Sequence, residues 1–155
     1  MAHSYSNYQD IDKEALQHDI DAVKETLGAP TWEDFQHLLK LEKWGRSLTF
    51  IGYALMVIIT FLEITEAGIS TIAFWSGAVA SVITIGAGNV SRWANVAHPI
   101  LHGAYDKVPG VPKRYTKSGF AKGKRRYIDW LDWITPDSWS FEHNIMHHYH
   151  LGELD

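Results

Sequence analysis

Five of the nine histidines in this 155-residue chain fall into two clusters, His98-Pro-Ile-Leu-His102 and His143-Asn-Ile-Met-His147-His148. On an α-helix, side chains four apart differ by about 40° in direction, so His98 with His102, and His143 with His147, each put two imidazoles on one face. His148 follows about 100° further round, within reach of the same turn. Clustered neutral imidazoles are the donor set of a borderline transition metal such as iron, copper, zinc or nickel. The chain has no cysteine, which removes thiolate zinc sites, iron–sulfur clusters, disulfides and cysteine nucleophiles together. Any metal must be held by nitrogen and oxygen. Neither cluster has the glutamate of His-Glu-x-x-His, so the water-activating metalloprotease pattern is absent. Haem ligation by His98 or His102 would leave the second cluster without a role. One His-x3-His pair alone reads equally well as interfacial side chains; two clusters, one with a doublet, are more specific. Pro99 predicts either a helix restart at His98 or a bend there.

The elements that must position these clusters follow from the charge pattern. Between Arg46 and Arg92 the only charged residues are Glu63 and Glu66. Residues 47–62 and 67–91 are charge-free and apolar, and the second stretch is long enough for a bilayer core. The first is shorter than the roughly 20 residues a spanning helix needs, and Lys43, Trp44 and Arg46 can snorkel at its end. The pattern predicts an all-α integral membrane protein built on a two-helix transmembrane hairpin. All 14 Lys and Arg lie before the first stretch or after the second, which places both termini in the cytoplasm. The domain division is 1–46, cytoplasmic amphipathic N-terminal helices; 47–91, the transmembrane hairpin; 92–155, a cytoplasmic or interfacial segment with both histidine clusters.

Leu16, Ile20, Val23 and Leu27 mark an amphipathic helix stopped by Gly28 and Pro30, and Thr31-Trp32-Glu33-Asp34 a capping box opening a second helix through Phe35, Leu38 and Leu39. Both helices are expected on the cytoplasmic surface. His18 and His37 read as solvated, and His3 as part of a frayed terminus. From Gly103 to Phe141, bases alternate with aromatics in a way that suits a lipid headgroup layer. Residues 113–126 read equally as a solvated loop, and 127–134 as a short interfacial helix. A net charge of -4 gives no reason to expect a nucleic-acid partner. Asp106 and Glu142 are possible orienting carboxylates for His102 and His143.

The order of two spans, His-x3-His, a basic and aromatic segment, and Trp139-Ser-Phe-Glu-His143-Asn-Ile-Met-His147-His148-Tyr-His150-Leu-Gly-Glu resembles the membrane fatty acid desaturases, especially the bacterial and algal acyl-lipid type. The resemblance runs from about Leu48 to Asp155. It implies two non-haem iron ions, dioxygen as co-substrate, membrane lipid acyl chains as substrate, and ferredoxin or a cytochrome b5 type protein as electron donor. His98 and His102 match the first histidine box of that family, His143, His147 and His148 the second, and His150 falls outside both. Family members continue into two further spans and a third box, so the chain corresponds to their N-terminal part and is expected to be inactive alone. The alternatives are a histidine-box hydroxylase, ketolase or alkane monooxygenase, and a non-enzymatic metal- or haem-binding membrane protein.

Overall fold

Side-chain caps start the first two helices. The Asp12 carboxylate accepts the N–H groups of Glu14 and Ala15 at 3.1 and 3.0 Å and opens α1 (Lys13–Leu27), which ends at Gly28. The Thr31 N–H donates to the Asp34 carboxylate at 2.7 Å and the Asp34 N–H to the Thr31 hydroxyl at 3.3 Å, the reciprocal pair that opens α2 (Trp32–Ile64). The computed structural model describes residues 12–65 and 67–148; His3 and His150 lie outside them.

The second N-terminal helix and the first apolar stretch are one 33-residue rod, about 50 Å long at 1.5 Å per residue. Residue 46 therefore falls inside a helix. Phe35 and Leu38 in its first turns are buried at 2% and 0% exposure, so this end of the rod packs into the protein core. By contrast α1 buries no residue, and its stripe Leu16, Ile20, Val23 and Leu27 is exposed.

Ser70 accepts the Ala73 N–H at 3.2 Å and opens α3 (Thr71–Ser91), which packs antiparallel along α2 as a hairpin. Small residues allow the backbones to meet. A Cβ on Gly88 would lie 2.7 Å from the Gly45 carbonyl oxygen, and one on Gly52 would lie 2.9 Å from the Ile85 nitrogen. The Thr49 hydroxyl sits in this seam, 3.0 Å from the Gly45 carbonyl oxygen and 3.2 Å from Asn89 Oδ1. The outer faces carry exposed Phe50, Val57, Phe61, Ile72, Trp75 and Val82. Both helices are long and apolar enough to cross a membrane.

A short α-helix does restart at His98, with Pro99 in its first turn, although the rod from Thr71 to Leu101 runs on unbroken. A π-helical turn, Arg92–Ala97, leads into α4 (His98–Leu101), and the His98 N–H donates to the Trp93 carbonyl, five residues back. The wider turn accommodates a residue whose ring clashes with the carbonyl four positions earlier in a regular helix. The rod stops just past His102. Gly103, at φ 78°, donates to Ile100 at 2.9 Å and Ala104 to Pro99 at 3.1 Å, the paired bonds of a Schellman end.

Beyond it, 3₁₀ turns at Lys113–Tyr115 and Gly123–Arg125 lead to α5 (Arg126–Asp129), then α6 (Pro136–Phe141) and a second π turn, Glu142–His147. Residues 113–126 are no solvated loop, since Tyr115, Phe120 and Ala121 are each buried at 3%. They join Phe35 and Leu38 of α2, Ile100 and Leu101 of α4, and Trp130 and Trp139 in one core. The expected helix over 127–134 ends at Asp129. The Arg126 guanidinium donates to the carbonyls of Trp130, Asp132 and Ile134 at 3.1, 2.6 and 2.9 Å and wraps the chain around itself.

Candidate metal centre

The two histidine clusters meet at one end of the hairpin. Asn144 draws them together, donating from Nδ2 to the Leu101 carbonyl at 3.1 Å and to the Ser140 hydroxyl at 2.9 Å. One ring nitrogen from each of His98, His102 and His143 lies within 4.8 Å of the other two. His98 Nε2 and His102 Nε2 are 2.8 Å apart, as the one-turn spacing of α4 dictates.

The second cluster is arranged differently from an α-helix. In the π turn the His148 N–H bonds to the His143 carbonyl, so residues five apart come round to the same side. His148 Nε2 accordingly stands 3.2 Å from His143 Nε2, and the His148 ring centre lies 5.0 Å from that of His102. His147 stacks on His143 with ring centres 5.2 Å apart, beside the group of three. His148 is thus nearer the convergence point than α-helical geometry suggests.

Aromatic rings fix the imidazoles from behind. Trp139, buried at 5% exposure, stacks on His143 and meets the edge of His98 with centres 5.4 Å apart, and Trp93 meets His98 at 5.5 Å. Reading Trp139 only as an interfacial aromatic misses this role. The signal was its spacing, four residues before His143. Asp106 does not orient His102: its carboxylate accepts the Lys117 N–H at 2.8 Å. Glu142 is exposed, as are His18 and His37.

Burial, followed by the positive charge available on His98, His148 and Lys117, lowers the pKa of His102 below its ordinary value. Burial and the four neighbouring imidazoles of His98, His148, His102 and His147 do the same for His143. Both effects favour the neutral ring, whose lone pair binds metal. Among the described residues the convergent group is all imidazole. That donor set fits a transition ion and does not suit calcium or magnesium, which take oxygen. No known protein family, curated protein or solved structure matches the chain.

Proposed function

We propose that the chain is an integral-membrane oxidoreductase of the fatty acid desaturase type, with His98, His102, His143, His147 and His148 holding two non-haem iron ions. The observation that carries this reading is the convergence of His98, His102 and His143, from separate clusters, at the end of an apolar hairpin. A bare metal-binding protein has no need of the hairpin, whereas an enzyme acting on acyl chains must sit where they are. The exposed apolar faces of α2 and α3 support that location, since water-soluble monomers rarely expose apolar patches so extensive. The absence of any Lys or Arg from residues 47–91 supports cytoplasmic termini and a cytoplasmic centre.

The reaction takes two hydrogens from neighbouring methylenes, with dioxygen, two electrons and two protons giving one double bond and two waters. Unactivated C–H bonds offer no acid–base handle, so iron held by these imidazoles would supply the activation of dioxygen, the oxidant. The chain supplies position. The imidazoles ligate, Trp139 and Trp93 hold their planes, and the hairpin brings the acyl substrate alongside. Electrons come from ferredoxin or a cytochrome b5 type donor.

The test is elemental analysis of the purified chain, paired with fatty acid analysis of a desaturase-free host expressing it with an electron donor. Iron retention that depends on His98 and His143 supports the centre; no new unsaturated chains are expected from this chain alone, and any that depend on His143 would extend the reading to desaturation and overturn that expectation. Equal iron content in a His98→Ala, His143→Ala double variant overturns the reading.

A further inference from the structure

We infer that the groove between α2 and residues 114–125 binds an anionic phospholipid of the cytoplasmic leaflet, at a site separate from the histidine centre. The inference rests on the membrane reading above.

The groove is open to its surroundings, with a volume of about 680 Å³, and its lining changes character along α2. One end carries Lys43, Arg46, Arg114 and Arg125; the other carries Phe50 and Ile51. No histidine lines it. Lys43, Ser47, Phe50 and Ile51 recur at spacings of four, three and one, a single face of α2. Lys43 and Phe50 are therefore separated by about 11 Å along the helix axis. The charge-free stretch begins at residue 47, so the cations sit at headgroup level and the rings at the level of acyl carbons.

Two buried carboxylates hold the cationic end in shape. Arg46 Nη2 bridges Glu42 at 2.8 Å and Asp129 at 2.5 Å, Arg125 Nε reaches Asp129 at 2.6 Å, and the Tyr115 hydroxyl donates to Glu42 at 2.6 Å. Arg114 touches Glu42 at 3.5 Å. Four cations against Glu42 and Asp129 leave two positive charges, and Lys43 makes no ion pair among the described residues. A zwitterionic headgroup brings no net charge to that excess, whereas an anionic one does. Guanidinium groups already oriented by carboxylates lose little freedom on meeting a phosphate. The apolar end, continuous with an exposed helix face, requires the ligand to carry an acyl chain.

The test uses the full chain in nanodiscs of equal parts phosphatidylcholine and phosphatidylglycerol, followed by detergent extraction and mass spectrometry of the retained lipid. Phosphatidylglycerol is expected to be enriched over phosphatidylcholine. Lys43→Gln should reduce that enrichment about fivefold, the effect of one base near a charged surface. Lys43→Arg should keep the enrichment, and so should Lys107→Gln, outside the groove. Lys43 contributes no bond to the carboxylate network, and an unchanged thermal midpoint checks that the variant is folded. Displacement of the lipid by soluble glycerol phosphate would reassign the groove to a bare phosphate ligand and overturn the lipid. If the chain floats with phosphatidylcholine vesicles yet retains no excess phosphatidylglycerol, the site fails and the membrane reading stands. If it does not float at all, both fail.

Discussion

Trp139 and His143 lie face to face, ring centres 4.3 Å apart and planes 17° from parallel. Because Trp139 is anchored in the core beside Trp130 and Trp93, the imbedded indole sets the direction of an imidazole that is itself half exposed. Trp139→Leu should lower metal affinity about tenfold, the scale on which supporting groups act. It should also destabilise the fold by about 2–4 kcal/mol through the cavity left behind. Trp139→Phe keeps a stacking ring and should retain most of the affinity. Metal titration of both variants separates the two effects, and equal affinity in the wild type and the Leu variant would remove Trp139 from the centre.

The histidines should not contribute equally. His98→Ala, His102→Ala and His143→Ala should each reduce affinity more than about a hundredfold, beyond the usual loss from a supporting group. His148→Ala should cost more than His147→Ala, because His148 Nε2 reaches within 3.2 Å of His143 Nε2 while His147 stacks alongside. His18→Ala and His37→Ala, both exposed on helices remote from the cluster in sequence, should leave affinity unchanged. Isothermal titration across the series ranks them, and a larger loss from His147 would mean that the helix regains α geometry around metal.

Acid should weaken the centre in a defined direction. His102 and His143 have folded-state pKa values below the ordinary 6.5, so the unfolded chain binds protons more readily than the folded one. Stability of the metal-free chain is therefore complete above pH 6.5 and falls as pH drops through the lowered values. Metal binding follows the same sense, because protons compete for the same nitrogens. A His102→Gln, His143→Gln variant should show a flatter thermal midpoint between pH 7.5 and about 5. A steeper one would assign the acid sensitivity to other groups.

Much of the hairpin was legible because hydropathy and charge act over whole helices. The Thr31–Asp34 cap and the end of α1 at Gly28 were legible because a few side chains decide them locally, whereas the Asp12 cap that starts α1 was missed. What escaped was set by contacts between segments distant in sequence. Nothing local tells that Phe35 and Leu38 bury against Ile100 and Leu101. Likewise the π turns escaped, since a 3.6-residue period was the only template applied to 143–148. Residues 127–134 have an amphipathic look, but four carbonyl contacts to Arg126 outweigh helix formation there. The His98 and His102 pairing was readable from spacing alone; its meeting with His143 depends on Asn144 and the Leu101 carbonyl, which no spacing reveals.

Two glycines of α3 should respond oppositely to enlargement. A Cβ at Gly88 would meet the Thr49 hydroxyl at 2.5 Å and two α2 backbone atoms at 2.7 Å, whereas Gly86 has nothing within 4 Å. Gly88→Leu must push the helices apart and should destabilise by about 1–3 kcal/mol, the range for overpacked sites. Gly86→Leu should be neutral or slightly stabilising, since a helix interior favours leucine over glycine by somewhat less than about 1 kcal/mol. Unfolding in denaturing detergent compares them. Equal tolerance would mean that the two rods are not in backbone contact.

Topology can be tested with single cysteines because the chain has none of its own. The base of α2 and the segment after α4 share one core, with Leu38 packed in the same cluster as Ile100 and Tyr115. Lys40 and Lys117 must therefore lie on the same side of any membrane, and both are exposed. Thr65 lies at the far end of the hairpin, also exposed, about 50 Å from the start of α2 at 1.5 Å per residue. In the proposed orientation the Lys40 side faces the cytoplasm. An impermeant thiol reagent added outside intact cells should label Thr65→Cys alone, and after permeabilisation should also label Lys40→Cys and Lys117→Cys. Labelling of Lys40→Cys and Lys117→Cys from outside, with Thr65→Cys protected, would invert the orientation and put the histidines beyond cytoplasmic electron donors. Labelling of all three from outside would place the apolar rods on a surface rather than across it.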